Sequence, residues 1–201
     1  MSKFASDPGM KHWQGLLDIT AYLKGTRHLG LKYGGHNESG ETGCIYGYCD
    51  ASYGRCKDTR RSRHGGVMIN NGGAVDWRSK MQSIVALSSM ESEYIGASET
   101  SRHIMWLRGA MKNLGLGNET PTELGIDNKS AKMFAEEHMI QNRSKHIDTK
   151  YHYVREKIAE GEIKLFYQPT LHNPADIFTK PLSGVSFNRF RKMMGVVNVR
   201  R

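Results

Sequence analysis

The sequence predicts an α/β fold in which a mixed five-stranded sheet, three antiparallel strands plus parallel strands, is flanked by helices. Two observations support this prediction. Near the middle of the chain, short strand-like runs flank Asn71-Gly72-Gly73, a strong signal for an antiparallel hairpin turn. After a long helix-like stretch, strand-like and helix-like runs alternate, which is typical of a sheet with helices on its faces.

The N-terminal part differs from the rest of the chain. Residues 11–24 carry apolar side chains at helical spacing, and His28–Tyr33 predicts a short strand. The polar, glycine-rich stretch Gly34–Gly40 has no periodicity, and we interpret it as a linker. We therefore place a boundary near residue 42.

Beyond this boundary the predicted elements follow a regular order. Strands are predicted at Cys44–Asp50, Gly65–Asn70, Ala74–Arg78 and Gln82–Leu87. A long helix at Ser89–Leu114 and a strand at Glu123–Ile126 follow. The remaining elements are helices Lys129–His138 and Lys145–Glu160, strand Glu162–Gln168, and short helices Asn173–Lys180 and Phe187–Met194.

Composition limits the classes of protein that the chain can belong to. Its 201 residues are enough for a domain core, and 38% of them are hydrophobic. No apolar run reaches the ~18 residues of a membrane span, and the first residues lack the apolar core of a secretory signal. The three cysteines, Cys44, Cys49 and Cys56, match no zinc spacing. We expect reduced thiols and an intracellular, reducing compartment.

The net charge of +9 suits a polyanionic partner. Arginines cluster at Arg60, Arg61 and Arg63 and again within Asn188–Lys192. Each cluster alone is equally compatible with a solvated surface. Two clusters in a basic chain favour contacts with nucleic-acid phosphates.

Four acidic residues lie where this architecture would bring side chains together. Asp50 ends the first strand, Glu93 lies in the first two turns of the long helix, Asp127 ends a strand and Asp176 opens a late helix. Each also has an ordinary structural explanation, since strand-end aspartates form turns and acids favour helix N-termini. The set of four indicates a site more strongly than any one member.

Geometry separates Glu93 from its neighbour Glu91. Ser88 and Glu91 have the spacing of a capping box, with Ser88 as the N-cap and Glu91 reaching back to it. Two residues further is ~200° around a helix, so Glu93 points nearly opposite, toward the core. A carboxylate there needs compensation, which a hard divalent cation bound by carboxylate oxygens would supply.

Five stretches together resemble one family. They are Gly47–Ala51, Val85–Ile95, Asp127–Ala131, Ser144–Glu156 and Ala175–Leu182. Over residues 45–182 the sequence resembles the RNase H domain of Ty1/copia-type LTR retrotransposon Pol polyproteins, and Asp7–Thr26 is similar to the C-terminal end of their reverse transcriptase. The resemblance implies an RNase H-like fold and three segments. These are a reverse transcriptase remnant with its linker at 1–41, an RNase H domain at 42–183, and a C-terminal helix and tail at 184–201.

The resemblance also implies an activity, namely metal-dependent endonucleolytic hydrolysis of the RNA strand of RNA–DNA hybrids during reverse transcription, with 5′-phosphate products. Its catalytic and metal-binding residues correspond to Asp50, Glu93, Asp127 and Asp176. They would hold two Mg²⁺ ions, or Mn²⁺ in their place, with Asp50 bridging both, Glu93 and Asp127 on one ion and Asp176 on the other. Two such ions can clamp the attacking and leaving oxygens of an in-line phosphoryl displacement.

The expected partners are an RNA–DNA hybrid and the attached reverse transcriptase domain, with no membrane, in a cytoplasmic virus-like particle or the nucleus. We expect the hybrid to be recognised by its shape and 2′-hydroxyls. Candidate substrate contacts are Ser88, Ser89, Asn128, Arg60, Arg61, Arg63 and His172. Many RNases H use a loop histidine near the position of His172 for product release, although a solvated loop histidine is the favoured explanation here.

The sequence departs from the family pattern in two places. Ser52 and Tyr53 stand where the family often has an acid and a tryptophan, and Ser62–Gly65 stands where it usually has Ser-Thr-Ser-Gly. These differences affect the expected hybrid contacts more than the acids.

Two other functions stay open. A catalytically weak or inactive RNase H-fold module would bind nucleic acid without cleaving it, and its typical sign, the loss of an acid, is absent here. A DDE-type integrase or transposase shares the fold class, but the motifs around Glu93 and Asp176 do not belong to it.

Overall fold

The computed structural model describes residues 4–34, 44–117, 119–136 and 145–199, and for residues 145–151 the backbone alone. Within these ranges the helices are α1 (Met10–Gly25), α2 (Ser89–Asn113), α3 (Lys129–Glu136), α4 (Lys145–Ala159) and α5 (Gly184–Met193). The strands are β1 (Leu29–Leu31), β2 (Tyr46–Ser52), β3 (Arg63–Asn70), β4 (Gly73–Met81), β5 (Thr122–Ile126), β6 (Ile163–Tyr167) and β7 (Val196–Asn198). Two 3₁₀ helices lie at Thr170–His172 and Pro174–Phe178.

The central sheet has five strands in the order β4-β3-β2-β5-β6. β2, β3 and β4 are antiparallel neighbours, whereas β5 runs parallel to β2 and β6 runs parallel to β5. This topology confirms the predicted mixed sheet. The crossover from β5 to β6 contains α3 and α4, as parallel neighbours require.

The β3–β4 hairpin turns where the sequence predicted. Asn71 and Gly72 have φ values of 49° and 77°. Two consecutive positive φ values are the conformation of a type I′ turn, which asparagine followed by glycine adopts most readily.

The predicted strand Gln82–Leu87 is wrong. β4 ends at Met81, and the next residues form a connection to α2. The buried side chain of Gln82 donates to the carbonyl oxygen of Ser92 at 2.8 Å, which anchors this connection to the first turns of α2. Val85 and Leu87 are 46% and 80% exposed, so the apolar residues that suggested a strand do not enter the core.

The core lies on both faces of the sheet. α2, α3 and α4 cover one face, where the buried side chains include Cys49, Ile104 and Leu124. The Pro174–Phe178 segment lies against the other face, where Tyr48 is among the buried residues. Because successive strand residues point to opposite faces, Asp50 shares the face of Tyr48 and points toward Pro174–Phe178.

A glycine lets Pro174–Phe178 approach the sheet closely. Gly65 on β3 pairs with Asp50 on β2. A Cβ atom at Gly65 would lie 2.6 Å from the Cβ of Phe178 and 3.1 Å from the carbonyl oxygen of Ala175, which is too close for either atom. The missing side chain therefore allows the segment that carries Asp176 to lie beside Asp50.

The N-terminal segment contacts the C-terminal tail. β1 pairs antiparallel with β7, and the hydroxyl of Tyr33 donates to the carbonyl oxygen of Ala74 at 2.8 Å. None of the residues of α1 is buried. The predicted boundary near residue 42 lies outside the described residues, so the division at 41 and 183 stays a prediction.

Among the helices that the structure describes, none has the length and apolar character needed to cross a membrane. Within the described residues, Cys44, Cys49 and Cys56 form no disulfide bond. Burial, followed by the nearby charges of Glu93, Asp50 and Asp127, raises the pKa of Cys49 well above its usual range. This thiol therefore stays protonated and serves as packing.

We expect Gly65→Ala to lower the free energy of unfolding by about 1–3 kcal/mol, because the added methyl group must push Phe178 and the Ala175 backbone away from β3. Urea unfolding followed by circular dichroism measures the change. The matched control is Gly109→Ala in α2, where nothing lies within 4 Å of the added Cβ. This control should be neutral or stabilising by up to about 1 kcal/mol. Equal stability of Gly65→Ala and wild type would contradict the packing argument.

Candidate active site

Three of the predicted acids meet at one edge of the sheet. Asp50 lies near the end of β2, which continues for two more residues than predicted, and Asp127 directly follows β5. Because β2 and β5 are parallel, their carboxyl ends lie at the same edge. Asp176 reaches this edge from the 3₁₀ helix Pro174–Phe178. One carboxylate oxygen from each of the three residues lies within 4.8 Å of the others.

Glu93 reaches the same region from α2. Its Oε1 atom accepts a hydrogen bond from the backbone N–H of Ala51 at 3.1 Å, next to Asp50. Its Oε2 atom is buried and has no hydrogen-bond partner within the described residues. Glu93 is buried, so its predicted direction toward the core is correct.

The N-terminal turn of α2 explains why the role of Glu91 differs from that of Glu93. The Oγ atom of Ser88 accepts from the backbone N–H of Glu91 at 3.1 Å, as expected for an N-cap. The carboxylate of Glu91 accepts from the N–H of Leu87 at 2.7 Å, one residue earlier than the predicted capping box requires. Glu91 is thus buried in the cap rather than in the acidic cluster.

Burial makes the cluster electrostatically unfavourable without a cation. Loss of solvent raises the pKa of Asp50, although hydrogen bonding from Thr179 and the charge of Lys180 oppose the shift. Burial and then the charge of Asp50 raise the pKa of Asp176 to about 6. Burial, followed by the charges of Asp50 and Asp127, raises the pKa of Glu93 well above its usual range. These carboxylates resist ionising together.

The donor set fits a hard divalent metal ion. The converging ligand atoms are carboxylate oxygens, which Mg²⁺ and Mn²⁺ prefer over sulfur donors. A divalent charge would offset the unfavourable burial of Asp50 and Asp176. The unpartnered Oε2 atom of Glu93 offers a further oxygen beside this group.

Two contacts hold the Asp176 segment to β2. The buried side chain of Asn173 donates from Nδ2 to the carbonyl oxygen of Cys49 at 2.8 Å, and its Oδ1 accepts from the N–H of Ala175 at 3.1 Å. The hydroxyl of Thr179 donates to Oδ2 of Asp50. These side chains orient the acids although they are not acids themselves.

Sequence reasoning gave no role to Thr179 and Lys180. The Nζ atom of Lys180 lies 2.9 Å from Oδ1 of Asp176 and 3.9 Å from Oδ2 of Asp50. Both residues stand inside the motif Ala175–Leu182 that carried the resemblance. In a helical turn, an aspartate and a lysine four residues later often form an ion pair. This spacing was the signal in the sequence that could have indicated the contact between Asp176 and Lys180.

Three predicted substrate residues stand near the acids in the sequence, and in the structure they cap helices or lie at the surface. Oδ1 of Asn128 accepts from the N–H of Ala131 at 2.9 Å and so caps α3. Ser88 caps α2 in the same way, and Ser89 is exposed in its first turn. The Nδ2 group of Asn128, next to Asp127, is not used by the cap.

The other predicted substrate residues lie outside the cluster. Arg60 and Arg61 are exposed in the connection between β2 and β3, where Arg60 has a φ of 55°. Arg63 donates to Oγ of Ser79 on β4 at 3.2 Å. His172 is exposed at the end of the 3₁₀ helix that precedes the Asp176 segment. The structure thus brings the acids together and leaves these four residues on the surrounding surface.

Comparison with solved structures supports the fold. LC11-RNase H1, isolated from compost, superimposes with a TM-score of 0.50 at 15% sequence identity, over 69% of this chain and 94% of that one. Its identity is low, so the likeness concerns the fold alone. The chain has the RNase H-like arrangement of a five-stranded mixed sheet with flanking helices.

Comparison of sequences identifies relatives, although no family model matches the chain. It is 35% identical over 196 residues to the retrovirus-related Pol polyprotein from transposon TNT 1-94 of Nicotiana tabacum, and 30% identical over 199 residues to that from transposon RE2 of Arabidopsis thaliana. These matches cover 98% and 99% of the chain, which spans 14% and 13% of the relatives' length. The chain therefore belongs to the Ty1/copia-type retrotransposon Pol polyproteins, as a segment with an RNase H-like fold.

Proposed function

We propose that this segment is a ribonuclease H, an endonuclease that hydrolyses the RNA strand of RNA–DNA hybrids during retrotransposon reverse transcription. The observation that carries the proposal is the convergence of Asp50, Asp127 and Asp176 within 4.8 Å at the carboxyl edge of an RNase H-like sheet, with Glu93 beside them. Membership in the Pol polyproteins supports a role in reverse transcription and attachment to the reverse transcriptase.

The residues that would hold two divalent ions, Mg²⁺ with Mn²⁺ as substitute, are the four acids. Asp50 would contribute to both positions, Glu93 and Asp127 to one, and Asp176 to the other. When bound, the two ions supply positive charge to the attacking and leaving oxygens of a phosphodiester displacement that leaves a 5′-phosphate.

The chain's own residues prepare this arrangement. The backbone N–H of Ala51 holds one oxygen of Glu93, which leaves the other directed into the site. Thr179 orients the carboxylate of Asp50, and Asn173 keeps the Asp176 segment against β2. Because these groups are fixed before substrate arrives, the ligands need little reorganisation when metal binds.

The substrate class follows from charge and location. The chain carries a net charge of +9, and Arg60 and Arg61 are exposed on the β2–β3 connection, which follows the end of β2 that carries Asp50. Such a surface suits a phosphate backbone. Asn128, with its free amide group next to Asp127, is the candidate for contact with the RNA sugar, and Arg60, Arg61 and Arg63 are candidates for the DNA strand.

One assay tests the function. Labelled RNA–DNA hybrid, RNA duplex and DNA duplex are incubated with the protein, with and without Mg²⁺. We expect Mg²⁺-dependent cleavage of the RNA strand of the hybrid alone, and Asp50→Asn should reduce it to background because this residue serves both metal positions. The matched control is Asp18→Asn, which removes an exposed carboxylate of α1 and should leave cleavage unchanged. Hybrid binding without cleavage would favour the inactive module, and cleavage of DNA duplex would favour an integrase-like nuclease.

A second prediction concerns pH. The pKa of Asp176 is raised to about 6, so the metal-free folded protein keeps a proton that the unfolded chain releases at lower pH. This protonation stabilises the metal-free protein below pH 6, and the stabilisation is lost as pH rises through 6. Metal ions must displace the proton, so the rise in Tm caused by Mg²⁺ should be large at pH 8 and small at pH 5.

Differential scanning fluorimetry in Mg²⁺ or EDTA measures both effects. Asp50→Asn should show little rise with Mg²⁺ at either pH, and Asp18→Asn should behave as wild type. A Mg²⁺ effect of equal size at pH 5 and pH 8 would contradict the involvement of Asp176.

A further inference from the structure

Lys180 places a positive charge inside the acidic cluster. Its ammonium lies 2.9 Å from Oδ1 of Asp176 and 3.9 Å from Oδ2 of Asp50, and both carboxylates are buried. Within the described part of the chain, Lys180 forms no ion pair with Glu93 or Asp127. The ion pairs of Lys180 in the described structure are therefore with Asp176 and Asp50, on one side of the cluster.

The backbone directs the lysine to this place. The N–H of Lys180 donates to the carbonyl oxygen of Asp176 at 3.1 Å, and that of Thr179 donates to the same oxygen at 3.2 Å. This turn brings residues 176 and 180 to one side. The side chain of Lys180 is 23% exposed, so it enters the cluster from the rim and can leave it again without disturbing the core.

The ammonium lies where two carboxylates would share a metal ion. Asp50 and Asp176 are the pair assigned above to the second ion, and Lys180 contacts these two. A monovalent ammonium and a divalent ion between the same oxygens would repel each other and overlap in space. The two cations cannot both remain there.

We propose that Lys180 is an internal counter-ion that stabilises the metal-free site and is displaced when a divalent ion binds between Asp50 and Asp176. The proposal rests on the proposed two-metal function. It adds that the two metal positions differ in whether the bound ion competes with Lys180. The ion held by Glu93, Asp127 and Asp50 does not compete with the lysine, whereas the ion held by Asp50 and Asp176 does. Lys180 thus sets the metal concentration at which the site is filled completely.

Lysine suits this role better than arginine. Its charge is compact and lies on a flexible four-carbon stem, so it can occupy a metal-sized position and withdraw from it. The alternative is a permanent structural ion pair that holds Asp176 in place in both states. Under that alternative, removing the lysine would weaken metal binding.

Titration with Mn²⁺, followed by the electron paramagnetic resonance signal of the free ion, distinguishes these roles without substrate or catalysis. We expect two ions to bind wild type, one more weakly. Lys180→Met should tighten the weaker one by about fivefold or more, since the positive charge that competes for Asp50 and Asp176 is removed. In EDTA the same variant should have a lower Tm than wild type, and added Mn²⁺ should remove this difference in Tm. The matched control is Lys164→Met, which removes an exposed lysine paired with Glu123 and should change neither quantity.

Lys180→Gln repeats the test with a polar neutral side chain, in case Lys180→Met does not fold, and the same tightening is expected. Unchanged or weaker Mn²⁺ binding in the folded variant would overturn the role of Lys180 while leaving the metal site intact. Absence of Mn²⁺ binding to wild type would instead overturn the two-metal function, and the role of Lys180 with it.

Discussion

Mutual repulsion among buried carboxylates is the constraint on which the rest of this structure depends. Asp50 and Asp176 are almost fully enclosed, Glu93 is buried beside them, and Asp127 lies at the edge of the same cluster. Desolvation raises the pKa values of Asp50, Glu93 and Asp176, so the folded protein maintains an arrangement that favours protonation or the binding of cations. Such an arrangement destabilises the fold unless hydrogen bonds or cations compensate the buried charges.

Several contacts make this arrangement tolerable. The Ala51 N–H, the Thr179 hydroxyl and the Lys180 ammonium each compensate part of the negative charge. Ala51 acts on Glu93, Thr179 on Asp50, and Lys180 on both Asp176 and Asp50, so each group compensates only part of the negative charge. The proposed metal site can therefore persist in the folded protein before any divalent ion binds.

The scaffold brings together residues that are far apart in the chain. Parallel pairing of β2 with β5 aligns Asp50 with Asp127, and the absence of a side chain at Gly65 allows the Asp176 segment to lie on β3. Asn173 fastens this segment to the Cys49 carbonyl. The positions of the acids therefore depend on these packing contacts more than on interactions among the acids, since the acids would separate if the contacts were lost.

The amino-acid sequence alone determined those features that follow from local rules. The hairpin at Asn71–Gly72, the Ser88 cap and the inward direction of Glu93 depend on backbone preferences and helical geometry, which act over a few residues. The four acids were identified from sequence motifs, which are defined by the types of residues and their order along the chain. The predicted strand Gln82–Leu87 failed because its apolar residues find no partner strand, which no local pattern reveals.

Only the tertiary structure decided that Gly65 makes room for Asp176, that Asn173 joins two distant segments, and that Lys180 lies between two of the acids. These facts depend on distances between residues more than a hundred positions apart. The order of residues in the sequence does not reveal these distances, because they are set only when the sheet forms.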